Sequence, residues 1–252
     1  MKLAVIIPVY NAENTIRKAV KSIDTTHDVE IICINDGSTD RTKQVLTELQ
    51  KEVKHLIVYH QDNQGAAKSR NMGLSAMSDD IDAFMFLDAD DQFLPGKMDQ
   101  MIQYYEKNDH LDIVIGQIGR GLNGDWKVIP THEDIHREAM VSLAEAPEIL
   151  QSIGPGGKLF KAKFNTLRFD EDVVFCEEHT FVTRAYLMAR DIQLVPFIVY
   201  GYNEREGSIT DQRADTFISY LEDARKVRRE VMDMLLLVNE KAYYSYRMDD
   251  LI

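Results

Sequence analysis

Residues 84–93 read FMFLDADDQF. Four apolar side chains run straight into Asp88, Asp90 and Asp91. A continuous apolar run is the pattern of a strand buried on both faces of a sheet, so these acids sit at a strand end. The same sentence is written three times upstream. KLAVIIPVY (2–10) runs into Asn11, VEIICIND (29–36) into Gly37-Ser38, and HLIVYH (55–60) into Asp62-Asn63-Gln64-Gly65.

Helical stripes fill the gaps. Ile16, Ala19, Val20 and Ile23 share one face of a helix expected over 13–23, with Asn11 as its cap. Val45, Leu46 and Leu49 mark a second helix behind Ser38-Thr39-Asp40, with Asp40 capping, and a third is expected over 64–77. Pro95-Gly96 restarts a helix that runs to about Asn108, before a strand at 111–118. Strand–helix repetition at this spacing predicts an α/β fold with a mainly parallel sheet. Ligands of such sheets bind beyond the carboxyl ends of the strands, where all four polar turns lie.

The second half is less regular. GLNGDW (121–126) reads as a hairpin turn, 143–152 as a helix and IGPGGK (153–158) as a loop. A helix is expected over 177–190, a strand over 192–203 broken by Pro196, and a long amphipathic helix over 216–240. With no linker between halves, the expectation is one domain. A nucleotide-sugar half spans 1–119, an acceptor and catalytic half 120–213, and a C-terminal helix and tail 214–252.

Composition narrows the partners. The 252 residues are 44% hydrophobic and 28% charged, an ordinary globular balance. The net charge of −13 argues against nucleic acid held by phosphate neutralisation and against a polybasic membrane dock. Two distant cysteines, Cys33 and Cys176, form no disulfide framework and suit a reducing cytosol. No run is long enough for a signal peptide or a membrane span, so the expected location is cytoplasmic, with room for contact at the inner face of the membrane.

The polar turns carry the chemistry. Asp88 and Asp90, two apart at a strand end, are hard oxygen donors of the kind that Mg²⁺ or Mn²⁺ prefers, with water and substrate phosphates completing the shell. A solvated acidic turn is the plainer alternative. Asp36 can accept from a base or a ribose, or cap a turn. Arg70 shares a helix face with Ala66, Ala67 and Leu74, so it wants a phosphate or a carboxylate such as Asp88. His132 and His136 lack a third ligand and read as exposed polar residues.

VIIPVYNAENTI, INDGSTD, DNQGAAKSRNMGL and FLDADD resemble, in order and spacing, the nucleotide-sugar half of inverting glycosyltransferases of family two, with the GT-A fold. The resemblance implies a nucleotide-diphospho-sugar donor, UDP-linked in many members, and a divalent ion on the Asp-x-Asp motif. By it, Pro8, Tyr10, Asp36, Asn63 and Arg70 face the nucleotide, Asp88 lies near the ribose or diphosphate, and Asp90 lies on the metal. Asp91 is left as a support or a donor-sugar contact. Glu177 and Glu178, an acidic pair opening a helix after the sheet, match the place of the family's base. Glu178 aligns with the base itself and Glu177 with a donor or orienting contact, while acids in a first helical turn also serve the helix dipole alone. GPGGKLFKAKF resembles a segment of bacterial polysaccharide and teichoic-acid transferases in which a lysine, here Lys158, lies near the site. YNEREGSIT (202–210) resembles their lid, with Arg205 the candidate diphosphate contact beside Ser208 and Thr210.

The expected function is metal-dependent transfer of a sugar to a hydroxyl of a carbohydrate or lipid-linked carbohydrate in cell-envelope polysaccharide, lipopolysaccharide or teichoic-acid synthesis. A sugar-phosphate nucleotidyltransferase would prefer a glycine-rich basic motif near the N-terminus, which VIIPVYNAENTI lacks. A catalytically silent nucleotide-sugar-binding module or partner subunit would bind donor without any turnover.

Overall fold

The computed structural model describes residues 1–122, 124–203 and 213–236. The first half alternates strand and helix as read. β1 (Lys2–Val9), α1 (Ile16–Lys21), β2 (Asp28–Asp36), α2 (Thr42–Glu52), β3 (Leu56–Gln61), α3 (Ala66–Ala76) and β4 (Ala83–Phe86) follow in order. Then come β5 (Gln92–Phe93), α4 (Lys97–Lys107), β6 (Ile113–Leu122), β7 (Asp125–Val128) and β8 (Ala139–Val141). The series ends with β9 (Lys158–Lys161), α5 (Glu177–Met188), β10 (Ile192–Asn203) and α6 (Arg213–Leu236).

One ten-stranded sheet runs β3-β2-β1-β4-β9-β6-β10-β5, with β7 on β6 and β8 on β10. The ladder β3-β2-β1-β4 is parallel throughout, as is β6 with β10. β9 enters antiparallel between β4 and β6, so the sheet turns mixed in its second half. Because β1, β2, β3 and β4 are parallel, their carboxyl ends and the polar turns share one edge.

The period-two alternation of a strand divides the core. Leu3, Val5 and Ile7 of β1 pack with Ile16, Leu46, Leu49, Met98 and Ile102 on the face covered by α1, α2 and α4. Ala4 and Ile6 pack on the other face with Leu74, Phe86, Phe181 and Val231 under α3, α5 and α6. That second face holds a ring cluster. Phe86 meets Phe160, Phe169 and Phe181 edge-on, and Phe169 stacks on Phe181 at 4.1 Å.

Several local expectations change. The helix expected over 143–152 is only a 3₁₀ turn at Pro147–Gln151, because Pro147 supplies no amide and biases Ala146 away from the helical region. Asn11 does not cap α1. It adopts φ 46°, and its Oδ1 accepts from Thr39 N at 2.8 Å. Pro196 does not break β10 but sits, exposed, where the register with β6 slips between Val195 and Ile198, the bulge a strand proline demands. Two- and three-residue strands, β5 and β8, carry no pattern long enough to read.

Gly73 shows how closely α3 lies on β1. A Cβ built there would fall 2.3 Å from Ile6 Cγ2, a stiff, fully buried methyl. An interior helical Gly→Ala change ordinarily stabilises by about 1 kcal/mol. Here overpacking outweighs it, and Gly73→Ala is expected to destabilise by about 1–3 kcal/mol in chemical denaturation. A gain in stability would show that α3 is not seated as described.

Candidate active site

At the shared strand edge, one side chain gathers the others. Arg70 on α3 is only 3% exposed. Its Nη1 donates to Glu177 Oε1 at 2.9 Å, and its Nη2 to Asp88 Oδ1 at 3.0 Å and Glu178 Oε1 at 3.2 Å. The guanidinium lies 5.4 Å from the centroid of the Phe169 ring. Burial works against its charge, but Asp88, Glu178 and Glu177 outweigh it and raise its pKa beyond the ordinary arginine value. Of the two partners that its sequence position allowed, phosphate or carboxylate, Arg70 contacts carboxylates here. It ties the end of β4, at Asp88, to the start of α5, at Glu177 and Glu178.

The two glutamates differ in openness. The Glu177 side chain is 11% exposed and that of Glu178 27%. Burial, and then the charge of Glu177, pushes the Glu178 carboxyl up to about 8, while Arg70 and Lys158 pull against that rise and Asp88 adds to it. Both acids stand in the first turn of α5, behind Cys176 at φ 65°.

The acidic turn is bolted to β10. Tyr200 Oη donates to Asp91 Oδ2 at 2.8 Å and accepts from Asp88 N at 3.1 Å. Asn203 N donates to Asp91 Oδ1 at 3.0 Å, and Asn203 Nδ2 to the Asp90 carbonyl at 2.8 Å. Asp91 is 2% exposed. Of the two roles left to it, the geometry gives support rather than sugar contact. Its carboxyl is pushed up to about 8 by burial and by the charges of Asp88 and Asp90. Tyr200 was not singled out in the sequence. A buried tyrosine needs a partner for its hydroxyl, which is the one signal that could have pointed to it.

Asp36 is 3% exposed and holds the neighbouring turn. Its Oδ1 accepts from Gln61 Nε2 at 2.7 Å and Gln64 N at 2.8 Å, and its Oδ2 from Gly65 N at 2.8 Å. A carboxylate has about four acceptor positions, so Oδ2 keeps one for a further donor. Gly37 lets this turn close: at φ 67°, a Cβ would meet Asn63 N at 2.6 Å. Asn63 Nδ2 donates to the Asp36 carbonyl at 3.2 Å. Pro8 is half-buried, Asn63 is exposed, and Tyr10 is 51% exposed at the end of β1.

Lys158 is fully buried and reaches inward to Ser152 Oγ at 2.6 Å and to the Gly154 carbonyl. Ser152 Oγ in turn lies 2.8 Å from His132 Nε2. His132 is 1% exposed, contrary to the surface position read for it, because its 3₁₀ turn at Pro130–His132 folds the ring under β6. His136 is exposed as read. Arg205, Ser208 and Thr210 lie outside the described residues.

Asp88 and Asp90 present hard oxygen donors two residues apart, and the Asp88 side chain is 40% exposed. That donor set suits Mg²⁺ or Mn²⁺. Among the described residues no three His, Cys, Asp or Glu side chains converge as a complete metal cage. An ion here takes its remaining ligands from water or a phosphate-bearing substrate. Among the same residues no helix is long and apolar enough to cross a membrane.

Known proteins resemble this chain in sequence and in fold. The family model described as Glycosyl transferase family 2 matches residues 4–174. TagX of Staphylococcus aureus is 36% identical over 256 residues, covering all of this chain and 72% of that protein. A poly(ribitol-phosphate) beta-glucosyltransferase of Bacillus spizizenii is 28% identical, over 88% of this chain and 36% of its own length. Residues 1–349 of S. aureus TarS, solved with UDP, superpose at a TM-score of 0.76 and 22% identity, over 94% of this chain and 66% of that one. The same TarS segment with UDP-GlcNAc also gives 0.76, at 23% identity over 91% of this chain.

Arg70→Met would strand three carboxylates, and losing one partner of a buried ion cluster costs about 3–5 kcal/mol. Arg70 is what holds the Glu178 carboxyl down to about 8, so without it that folded-state value rises further, and the part of the loss carried by Glu178 is full above the new value and fades as pH falls to about 8. Urea denaturation from pH 10 to pH 8 is expected to show the gap to wild type narrowing. A gap independent of pH would mean that Arg70 acts by packing alone.

Proposed function

Because the chain belongs to glycosyl transferase family 2, we propose that it transfers a sugar, with inversion, from a UDP-sugar to a hydroxyl of an envelope polymer of the teichoic-acid class. The observation that carries this reading is the single buried guanidinium joining Asp88 at a strand end to Glu177 and Glu178 at a helix start. It puts one candidate base beside one candidate diphosphate edge. The UDP and UDP-GlcNAc complexes of TarS and the name of the Bacillus relative support the donor and acceptor classes.

Inverting transfer is a single displacement. Glu178, the more open of the pair, takes the proton from the acceptor hydroxyl as that oxygen bonds to the anomeric carbon. The bond from that carbon to the diphosphate oxygen breaks, and the electron pair leaves with the nucleoside diphosphate. One base suffices, unlike the paired carboxylates of glycosidases. Glu177 and Arg70 hold Glu178 in place. Asp91 and Tyr200 fix the turn that carries Asp88 and Asp90. Tyr10, Pro8, Asn63 and the remaining acceptor position of Asp36 face the nucleotide, with Asp88 towards the ribose or diphosphate. Asp90 would hold a divalent ion, which when bound supplies charge stabilisation to the leaving diphosphate. Residues 1–119 serve the donor and 120–213 the acceptor, and the reaction takes place at the cytoplasmic side of the membrane.

The test is calorimetry and turnover with UDP-GlcNAc, with and without Mn²⁺. Glu178→Gln is expected to lower kcat by about 10²–10⁴-fold while UDP affinity stays within about twofold. Asp90→Ala is expected to abolish the Mn²⁺ dependence of UDP binding. Full activity in Glu178→Gln would move the base elsewhere, and donor binding without any turnover would leave a binding module.

The base works only when ionised. The rate constant kcat/KM is therefore expected to climb about tenfold per pH unit on the acid side and to level off near pH 8, the value to which the free Glu178 carboxyl is pushed. A profile already flat at pH 6 would contradict a raised glutamate as the base.

A further inference from the structure

Residues 167–176, which lead into the acidic pair, form neither helix nor strand. Backbone amides in such a stretch have no ladder to satisfy them and must find other partners. Just before Glu177, two of them find one on a distant helix. Val174 N and Phe175 N both donate to Asp223 Oδ2 of α6, at 3.0 and 3.1 Å. The Phe175 ring stacks on Tyr220, one turn before Asp223, at 4.9 Å. α6 is itself seated on α5: Val227, Val231 and Leu235 lie in the same buried cluster as Phe181 and Ala185.

The far end of the stretch is held from the other side. Asn71, next to Arg70 on α3, donates through Nδ2 to the Phe169 carbonyl at 3.0 Å and accepts from Phe169 N at 2.8 Å. Between Phe175 and Glu177 stands Cys176, at φ 65°. A non-glycine residue in the left-handed region is costly and persists only where its surroundings fix it. On one side α5 does so, because His179 N donates to the Cys176 carbonyl at 3.1 Å. On the other side Asp223 does so. Freed at 174–175, the turn relaxes towards negative φ and swings the first turn of α5, with its two glutamates, off Arg70.

We propose that Asp223 is a positioning residue for the candidate base. By holding the amides of Val174 and Phe175 it fixes the left-handed turn at Cys176, and with it the direction in which Glu178 projects from α5. The proposal rests on Glu178 as the base. Asp223 acts through the backbone ahead of the pair, and it acts as an acceptor rather than as a charge. One oxygen takes both bonds, and the amide oxygen of an asparagine has the two lone pairs to do the same.

The experiment compares Asp223→Ala and Asp223→Asn with wild type in the whole chain, at a temperature where all are folded by circular dichroism. UDP release from UDP-GlcNAc with Mn²⁺ gives kcat, calorimetry gives UDP affinity, and NMR amide exchange follows residues 174–179. Asp223→Ala is expected to lower kcat by about 10–10²-fold while UDP affinity stays within about twofold, because the donor is held at other strand ends. Amide exchange at Val174, Phe175 and His179 is expected to quicken about tenfold. Asp223→Asn is expected to restore both. Tyr220→Leu, which removes only the stacked ring, serves if Asp223→Ala does not fold, and shows the same split with a smaller fall. A loss of UDP affinity in step with kcat, a fall that Asp223→Asn does not restore, or wild-type exchange at His179 overturns the proposal. So does an unchanged kcat where Glu178→Gln is inactive. Faster exchange at His179 together with full turnover in Glu178→Gln would leave the turn's support standing and remove the base assignment instead. If the wild-type chain releases no UDP, exchange at His179 decides alone.

Discussion

The structure of the site depends on one guanidinium. Arg70 is delivered by a helix that can approach β1 only because residue 73 has no side chain. Its planar fork then fixes three carboxylates from two distant elements, which a lysine's point charge could not do with the same geometry. Phe169 closes over it and stacks on Phe181 of α5, so the aromatic core and the ion cluster share a wall. A shift of α3 would therefore disturb the end of β4 and the start of α5 together.

Around that centre, buried polar residues act as supports and more exposed ones as surfaces. Asp36 holds the turn at residues 61–65, Asp91 holds the acidic turn to β10, and Lys158 anchors the glycine-rich loop. Tyr10, Asn63 and Asp88 stay open at the same strand edge. Preorganisation of this kind needs the supports to be out of water, where their hydrogen bonds are strongest and their unpaired states most costly.

The sequence made the first half legible because each buried strand is a pure apolar run that ends in a turn signal. Residue type and place in the chain were enough to collect Asp36, Asp88, Asp90, Arg70 and the Glu177-Glu178 pair. Depth was harder to read. A motif aspartate looks the same whether its carboxylate meets a ligand or two backbone amides, and Asp36 and Asp91 turned out to be largely or wholly internal. The depth of Lys158 and His132 was hidden for a related reason: their burial depends on contacts between β6, β9 and the 3₁₀ segments, with no periodicity to announce it. β10 was read as broken at Pro196 because a bulge, which spares the strand, depends on its partner β6.

The acidic pair at the start of α5 has a simpler explanation that the geometry now weakens. Acids in a first helical turn stabilise the dipole by about 0.3–1 kcal/mol, and they do so while exposed and solvated. Glu177 is instead nearly buried, and Glu178 is drawn beside it onto the same cation, with its carboxyl raised towards neutrality. Crowding two carboxylates into a dry site costs several kcal/mol that a dipole contact does not recover. Such an arrangement suits a group that must change its protonation during a reaction, because a carboxyl poised near the working pH both ionises and accepts a proton readily. The unusual feature of the pair is thus that both carboxylates share one buried cation, a partner that a helix cap does not need.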